Sequence, residues 1–259
     1  MPDLRVTLVQ SMLHWEDAQA NREMFSEKLA SLKGTTDLIV LPEMFTTGFS
    51  MRSQELAEDM HGPTVQWMQA QAKLLDAAIY GSAIITSEGH RFNRGLFVKP
   101  DGTVITYDKR HLFRFANETD YYSAGKERAV VEWRGWRILL QICFDLRFPV
   151  FARNRNDYDA ILYAANWPEA RRFPWSQLLV ARAIENQCYV AGVNRVGMDG
   201  KGIHYSGDSV LIDPRGANIG EVAPSVEGIV TSTLGWDALE DFRAKFPVAL
   251  EADDFELRR

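Results

Sequence analysis

The chain has 259 residues, 46% of them apolar, and a formal net charge of −6, which suits a folded protein with a sizeable core. That charge, without any block of consecutive lysines or arginines, argues against a nucleic-acid or anionic-membrane surface and for a small-molecule partner. No segment approaches the ~18 consecutive apolar residues of a membrane span, and Met1-Pro2-Asp3-Leu4-Arg5 does not begin a targeting signal, so a cytoplasmic protein is expected.

Leu4 to Gln10 alternates toward a strand, and Ala18, Phe25, Leu29 and Leu32 predict a helix ended by Gly34. Asp37 to Glu43 predicts a second buried strand closed by Pro42. Glu43 is thereby delivered to the strand's C-terminal end, the edge where open α/β sheets bind ligands. Gly62-Pro63-Thr64 opens a helix with Val65, Met68, Ala72, Leu75 and Ile79 on its core face. Strands follow over 78–86 and 95–98, and Pro100-Asp101-Gly102-Thr103 turns the chain into a strand that ends just before Lys109. The stretch 112–128, polar and dotted with aromatics, carries Glu118 and is longer than an ordinary connection, which marks it as functional.

Val130 to Trp133 is predicted to pair with Trp136 to Ile142. Cys143 then stands between that strand and a helix expected over 145–156, whose positive dipole end would favour the thiolate. Further strands are expected over 159–165, 188–194, 208–212 and 228–233, with a helix through Trp175, Leu178, Leu179 and Ala183. Neither repeat nor linker interrupts the pattern, so residues 1–259 read as one domain with an acidic tail from about 247. Cys143 and Cys188 form neither a disulfide framework nor a zinc spacing, and no metal or cofactor is expected.

Glu43, Lys109 and Cys143 each lie just beyond a predicted core strand. Taken singly, each has a bland reading: a strand-end charge, a surface lysine, a small buried hydrophobe. Together they suit amide hydrolysis by a thiol, which needs a base for the thiol proton and positive charge beside the developing oxyanion. Glu43 is the candidate base and later acid, Cys143 the nucleophile, and Lys109 with the backbone N–H of Phe144 the oxyanion stabiliser. Glu118 would hold Lys109 or position the attacking water. Two other readings compete: a thiol–imidazole pair of Cys143 with His111, and a binding module in which Cys143 is inert.

Leu41-Pro42-Glu43-Met44-Phe45, Tyr107-Asp108-Lys109-Arg110-His111-Leu112-Phe113 and Gln141-Ile142-Cys143-Phe144-Asp145-Leu146-Arg147-Phe148-Pro149 resemble the three signature segments of the nitrilase superfamily of carbon–nitrogen hydrolases. Glu118 followed by Tyr121-Tyr122-Ser123-Ala124-Gly125 is similar to that family's second glutamate region, and the likeness runs from about residue 4 to residue 233. The resemblance implies an α/β fold, a four-layer αββα sandwich with mixed sheets, that pairs with a second copy as a homodimer. It also implies cofactor-free thioester chemistry through a Glu–Lys–Cys set. Met44 to Ser50 and Asn166-Trp167-Pro168 are most similar to the omega-amidase branch, which hydrolyses the terminal amide of dicarboxylic acid monoamides such as 2-oxoglutaramate or 2-oxosuccinamate. Nitrilase, aliphatic amidase, carbamoylase and N-acyl transferase chemistry would share the same three residues. An acid monoamide brings a carboxylate that must be paired with a cation. The stretch from Asn166 through Trp167 to Arg171 and Arg172 leaves a predicted strand on the same edge, and the branch resemblance points to Arg171, with Trp167 walling the pocket and Asn166 beside it.

Overall fold

The computed structural model describes residues 1–257. In chain order its strands are β1 (Leu4–Gln10), β2 (Leu38–Val40), β3 (Ala78–Ser87), β4 (His90–Val98), β5 (Val104–Asp108), β6 (Val130–Trp133) and β7 (Trp136–Ile142). They continue with β8 (Ala160–Ala165), β9 (Tyr189–Asn194), β10 (Val196–Met198), β11 (His204–Ser206), β12 (Val210–Ile212), β13 (Asn218–Glu221) and β14 (Gly228–Leu234). Two six-stranded sheets result, ordered β14-β1-β2-β3-β4-β5 and β13-β12-β9-β8-β7-β6, with β10 and β11 forming a separate ribbon. The central strands β1, β2 and β3 run parallel, as do β7, β8 and β9, and antiparallel strands flank both groups.

The alternation of side chains along each strand decides the layers. Val6, Leu8, Leu38, Val40, Ala78 and Tyr80 of the first sheet share one buried cluster with Ile138, Leu140, Ile142, Leu162 and Ala164 of the second. The opposite face of the first sheet packs Ile39 and Ile79 against Phe25 and Leu29 of the helix Ala18–Leu29 and against Val65 and Met68 of the helix Pro63–Leu75. Trp175, Leu179 and Ala183 of the helix Arg172–Asn186 cover the second sheet. The order is helix, sheet, sheet, helix, the expected four-layer α/β sandwich with mixed sheets.

Several expectations are corrected. The helix expected over 145–156 is a 3₁₀ turn, Cys143–Arg147, followed by the short helix Pro149–Ala152. Pro149 disfavours helical backbone at the residue before it, and Phe148 has φ −119 and ψ 82. Cys143 therefore has no long helix behind it and no strong dipole to stabilise a thiolate. The helix from Pro63 stops at Leu75 on a left-handed Asp76, which assigns Ile79 to β3. The ribbon β10–β11, the edge strand β13 and the helix Trp236–Lys245 add elements that periodicity had left unread. The tail expected from about 247 holds a 3₁₀ turn over Val248–Glu251, and its last residues, Arg258 and Arg259, lie outside the described ones. No helix among the described residues is long and apolar enough to cross a membrane.

A buried hydrogen bond crosses between the sheets: the Tyr80 hydroxyl donates to the Gln141 carbonyl at 2.9 Å. Burial, with the charges of Asp145 and Glu43, keeps this phenol well above its ordinary pKa, so it remains a donor. Tyr80→Phe should lower the unfolding free energy in urea by about 0.5–1.5 kcal/mol with the circular dichroism spectrum intact. An unchanged midpoint would show that the bond adds nothing to the joint.

Candidate active site

Strand direction explains why distant motifs meet. Glu43 leaves β2, Lys109 leaves β5, Cys143 leaves β7 and Asn166 leaves β8, all at the same end of the sandwich. Beyond β2 the chain stays tied to β3, through Leu41 N–H to the Tyr80 carbonyl at 2.7 Å and Met44 N–H to Ser82 Oγ at 2.8 Å. Glu43 is completely buried between them.

Lys109 Nζ donates to Glu43 Oε1 at 2.8 Å and to both carboxylate oxygens of Glu118 at 3.0 Å. All three side chains are withdrawn from solvent. Glu43 Oε1 also accepts from Asn93 Nδ2 at 2.7 Å, and its Oε2 from the Asn166 backbone N–H at 2.9 Å. Asn93 reaches Glu118 Oε1 as well, at 3.2 Å, and its own carbonyl oxygen takes the Ser82 hydroxyl at 2.8 Å. Sequence reading missed Asn93 and Ser82. The available signal was a polar residue interrupting each of two apolar strands.

Cys143 is 8% exposed and has φ +45, in the left-handed region, with Sγ 3.8 Å from the Asn166 carbonyl oxygen. Burial and then the charge of Glu43 push its thiol well up, and Lys109 only partly opposes them. Cys143 therefore rests as a thiol, contrary to the thiolate expected from a helix dipole, and attack by its sulfur would need a base. Burial works against the Lys109 ammonium, but the charges of Glu118 and Glu43 more than reverse this and hold it charged. Glu118 is pushed up by burial and by Glu43, against the pull of Lys109.

Asp145, two residues beyond the nucleophile, is fully buried and binds both strand ends. Its Oδ2 accepts from Ile142 N–H at 3.0 Å and from the Tyr107 hydroxyl at 2.8 Å, while its Oδ1 accepts from His111 N–H at 3.0 Å and lies 2.8 Å from His111 Nδ1. The His111 ring stacks on Phe148 at 3.8 Å. The Cys143 Sγ contact is with the Asn166 carbonyl, and His111 is absent from the residues lining the pocket over Cys143, so the structure offers the thiol–imidazole reading no support.

A pocket of about 380 Å³ opens over Cys143 and is lined by Phe113, Phe144, Trp167, Arg147 and Arg171 among others; ligand pockets run roughly 300–1,000 Å³. Phe144 lies in the first turn of the 3₁₀ segment, where N–H groups have no partner inside the turn. Trp167 Nε1 donates to the Arg171 carbonyl at 2.7 Å and so ties wall to rim. Arg172 turns away to Asp208 at 2.6 Å, which leaves Arg171 as the member of the pair facing the pocket. Asn166, expected to touch substrate, puts its donors on Glu43: the backbone N–H on the carboxylate and Nδ2 on the main-chain carbonyl. Larger hollows of about 540 and 590 Å³ lie under the C-terminal segment beside Arg153 and Asn154, and they contain no nucleophile. Among the described residues no group of three or more His, Cys, Asp or Glu stands ready to hold a metal ion.

A carbon-nitrogen hydrolase family model matches residues 5–244. The chain is 51% identical over 259 residues to omega-amidase YafV of Escherichia coli, covering 99% of this chain and 100% of that protein. It is 34% identical over 231 residues to a 2-oxoglutaramate amidase of Bacillus subtilis, covering 87% of each. Among solved structures, XC1258 from Xanthomonas campestris, a CN-hydrolase superfamily protein with an arsenic adduct in its active site, superposes with a TM-score of 0.98 at 51% identity over 100% of both chains. A carbon-nitrogen hydrolase from Helicobacter pylori, 18% identical, shares the fold with a TM-score of 0.87 over 96% of this chain and 95% of that one.

Two outcomes follow from the geometry. Iodoacetamide should alkylate Cys143 through the pocket and spare Cys188, which is fully buried, until the protein unfolds. Because the Cys143 thiol is held up, its labelling should accelerate about tenfold per pH unit through the neutral range; a pH-independent rate would indicate a preformed thiolate. Asp145→Asn should misplace the nucleophile and lysine ends together and lower turnover by about 10²-fold, and wild-type turnover in this variant would remove Asp145 from the positioning scheme.

Proposed function

The chain belongs to the carbon-nitrogen hydrolase family, and from that premise we propose a thiol-dependent amidase that splits the terminal amide of a dicarboxylic acid monoamide of the 2-oxoglutaramate or 2-oxosuccinamate type. It is an amide-hydrolysing enzyme with omega-amidase activity. The observation that carries the residue assignment is the ammonium of Lys109 clamped between Glu43 and Glu118 beside the Cys143 pocket.

In the proposed cycle Glu43 takes the thiol proton as Sγ attacks the amide carbon. The oxyanion is met by Lys109 Nζ and by the Phe144 N–H. Glu43 returns the proton to the nitrogen, the carbon–nitrogen bond breaks, and ammonia leaves a thioester on Cys143. Water, deprotonated by Glu43, then attacks the thioester carbon; the carbon–sulfur bond breaks, the sulfur regains a proton and the acid departs. Glu118 keeps Lys109 oriented throughout. The substrate carboxylate sits on Arg171, whose guanidinium lies 5.2 Å over the Phe113 ring in the pocket, with Trp167 as the wall.

A homodimer is supported by large apolar side chains left exposed, among them Phe115, Phe173 and Val150. Two unpaired cysteines favour a reducing, cytoplasmic compartment. The family match over 5–244 supports one domain across 1–259.

An ammonia-release screen over acid monoamides, aliphatic amides, nitriles and carbamoyl amino acids should favour the first class, and preference for a nitrile or a carbamoyl compound would move the chain to another activity of the family. Cys143→Ala should abolish turnover and keep the fold, and a quenched wild-type reaction should carry the acyl mass on the Cys143 peptide. Lys109→Ala should lose about 3–5 kcal/mol of stability as well as activity, since it strands two buried carboxylates; equilibrium unfolding in urea measures this. Arg171→Ala should raise KM for 2-oxoglutaramate while sparing hexanamide, and equal loss on both would place the carboxylate elsewhere.

A further inference from the structure

The pocket holds a second guanidinium that the cycle above leaves idle. Arg147 closes the same 3₁₀ turn that begins with Cys143, so its backbone is set by the nucleophile's own turn. Its guanidinium lies 5.3 Å over the Trp167 ring, as Arg171 lies over Phe113, and both arginines line the pocket above Cys143. Other arginines near the site are engaged: Arg94 with Asp108, Arg172 with Asp208, Arg182 with Glu185 and the Leu146 carbonyl. Among the described residues neither the Arg147 nor the Arg171 guanidinium has a carboxylate or carbonyl partner; their contacts are with aromatic faces.

The distribution of opposite charge completes the observation. No Asp or Glu lines this pocket, and Glu43 and Glu118 lie behind Cys143 with their charge turned onto Lys109. The outer end of the pocket therefore carries two positive charges and nothing to balance them. One planar fork suffices for a carboxylate. The second guanidinium is then left for the rest of the substrate, and at the carbon next to that carboxylate a carbonyl or hydroxyl oxygen would be an acceptor for it, whereas an ammonium would be a like charge with no acceptor lone pair.

Building on the acid-monoamide reading above, we propose that Arg147 is a specificity-determining residue that reads the 2-position of the substrate. It admits monoamides with an oxygen acceptor there, 2-oxo or 2-hydroxy acids, and excludes their 2-ammonium counterparts, glutamine and asparagine. The pocket needs no steric rejection of the amino acids, because exclusion comes from the absence of a carboxylate beside two cations.

The test compares kcat/KM by ammonia release for 2-oxoglutaramate, glutaramate without a 2-substituent, and glutamine, in wild type, Arg147→Met and Arg147→Lys. Methionine keeps an unbranched apolar stem against Trp167 and removes the charge. The expected result is that Arg147→Met lowers the ratio of 2-oxoglutaramate to glutamine by roughly tenfold or more, and lowers the ratio of 2-oxoglutaramate to glutaramate as well. Arg147→Lys should retain the exclusion of glutamine, and added salt should weaken that exclusion in wild type. Equal loss on all three substrates, or unchanged ratios, in a wild type that prefers acid monoamides overturns the role of Arg147 alone. A wild type without any preference for acid monoamides over neutral amides overturns both this inference and the reading on which it rests.

Discussion

The site depends on one buried ammonium serving two buried carboxylates. One ammonium faces two carboxyl groups here, and a pair of carboxylates would leave the cluster one net negative charge in a region without solvent. Such a charge is costly unless every lone pair and proton is used, and here nearly all are: Asn93, the Asn166 N–H and the Phe113 N–H supply the remaining donors. Burial, and after it the charge of Glu43, keeps the proton on Cys143 at rest. In the proposed cycle, passing the thiol proton to Glu43 moves the negative charge to the substrate oxygen instead of creating it, so the dry environment asks for little reorganisation. Lys109 has no spare proton in the resting geometry, since its bonds to Glu43 and to the two oxygens of Glu118 occupy all three. Glu118 is held twice by one ammonium, and releasing either of its oxygens frees a donor for the oxyanion without unpairing the carboxylate.

Holding this arrangement requires unusual backbone. Met44 next to Glu43, Asn117 next to Glu118, and Cys143 itself all have positive φ, at +42, +59 and +45. Left-handed conformations at non-glycine residues cost of order 1–3 kcal/mol each and persist only where the surroundings over-determine them. The surroundings here are explicit: Met44 N–H is held by Ser82, the turn at Asn117 by its N–H to the Arg114 carbonyl, and the turn at Cys143 by Asp145 bonding Ile142. Parallel strands ending at one edge bring the motifs near each other, and these strained turns aim the side chains inward.

Much of this was legible in the sequence. Buried strands, the hairpin at Pro100 to Thr103 and the order of Glu43, Lys109 and Cys143 follow from local composition, which is what period and turn chemistry report. The misread helix after Cys143 shows the limit of the same reasoning, because an apolar run continued the pattern while Pro149 forbade it. Asn93, Ser82 and Asp145 escaped notice for a different reason. Asn93 pairs with Glu43 50 positions away, Ser82 with Asn93 11 away and Asp145 with Tyr107 38 away, and no local pattern encodes such pairing. Arg147 stood inside a recognised motif, yet its significance appears only when the pocket shows which cations lack partners.

Chemistry and selection are supported by separate networks. Asp145 joins β5 to β7 and governs the relation of Lys109 to Cys143. The outer pocket is held from the other side of the sheet: Asn194 at the end of β9 takes the Trp167 N–H on its side-chain oxygen at 2.7 Å and donates to the Trp167 and Gly207 carbonyls. Trp175 and Arg172 both bind Asp208 in the next connection, and Trp175 packs against Trp167 at 5.5 Å. Substitutions that reshape the wall around Trp167 and Arg171 therefore act through β9 and the segment before β12, while the glutamate–lysine cluster takes its supports from β3, β4 and β5 and, through Asn166, from the end of β8. The two supports meet at one point, because Asn166 bonds Glu43 while its neighbour Trp167 bonds Asn194, so a change to the pocket wall leaves the buried charge balance beside Cys143 untouched only where it leaves Asn166 in place.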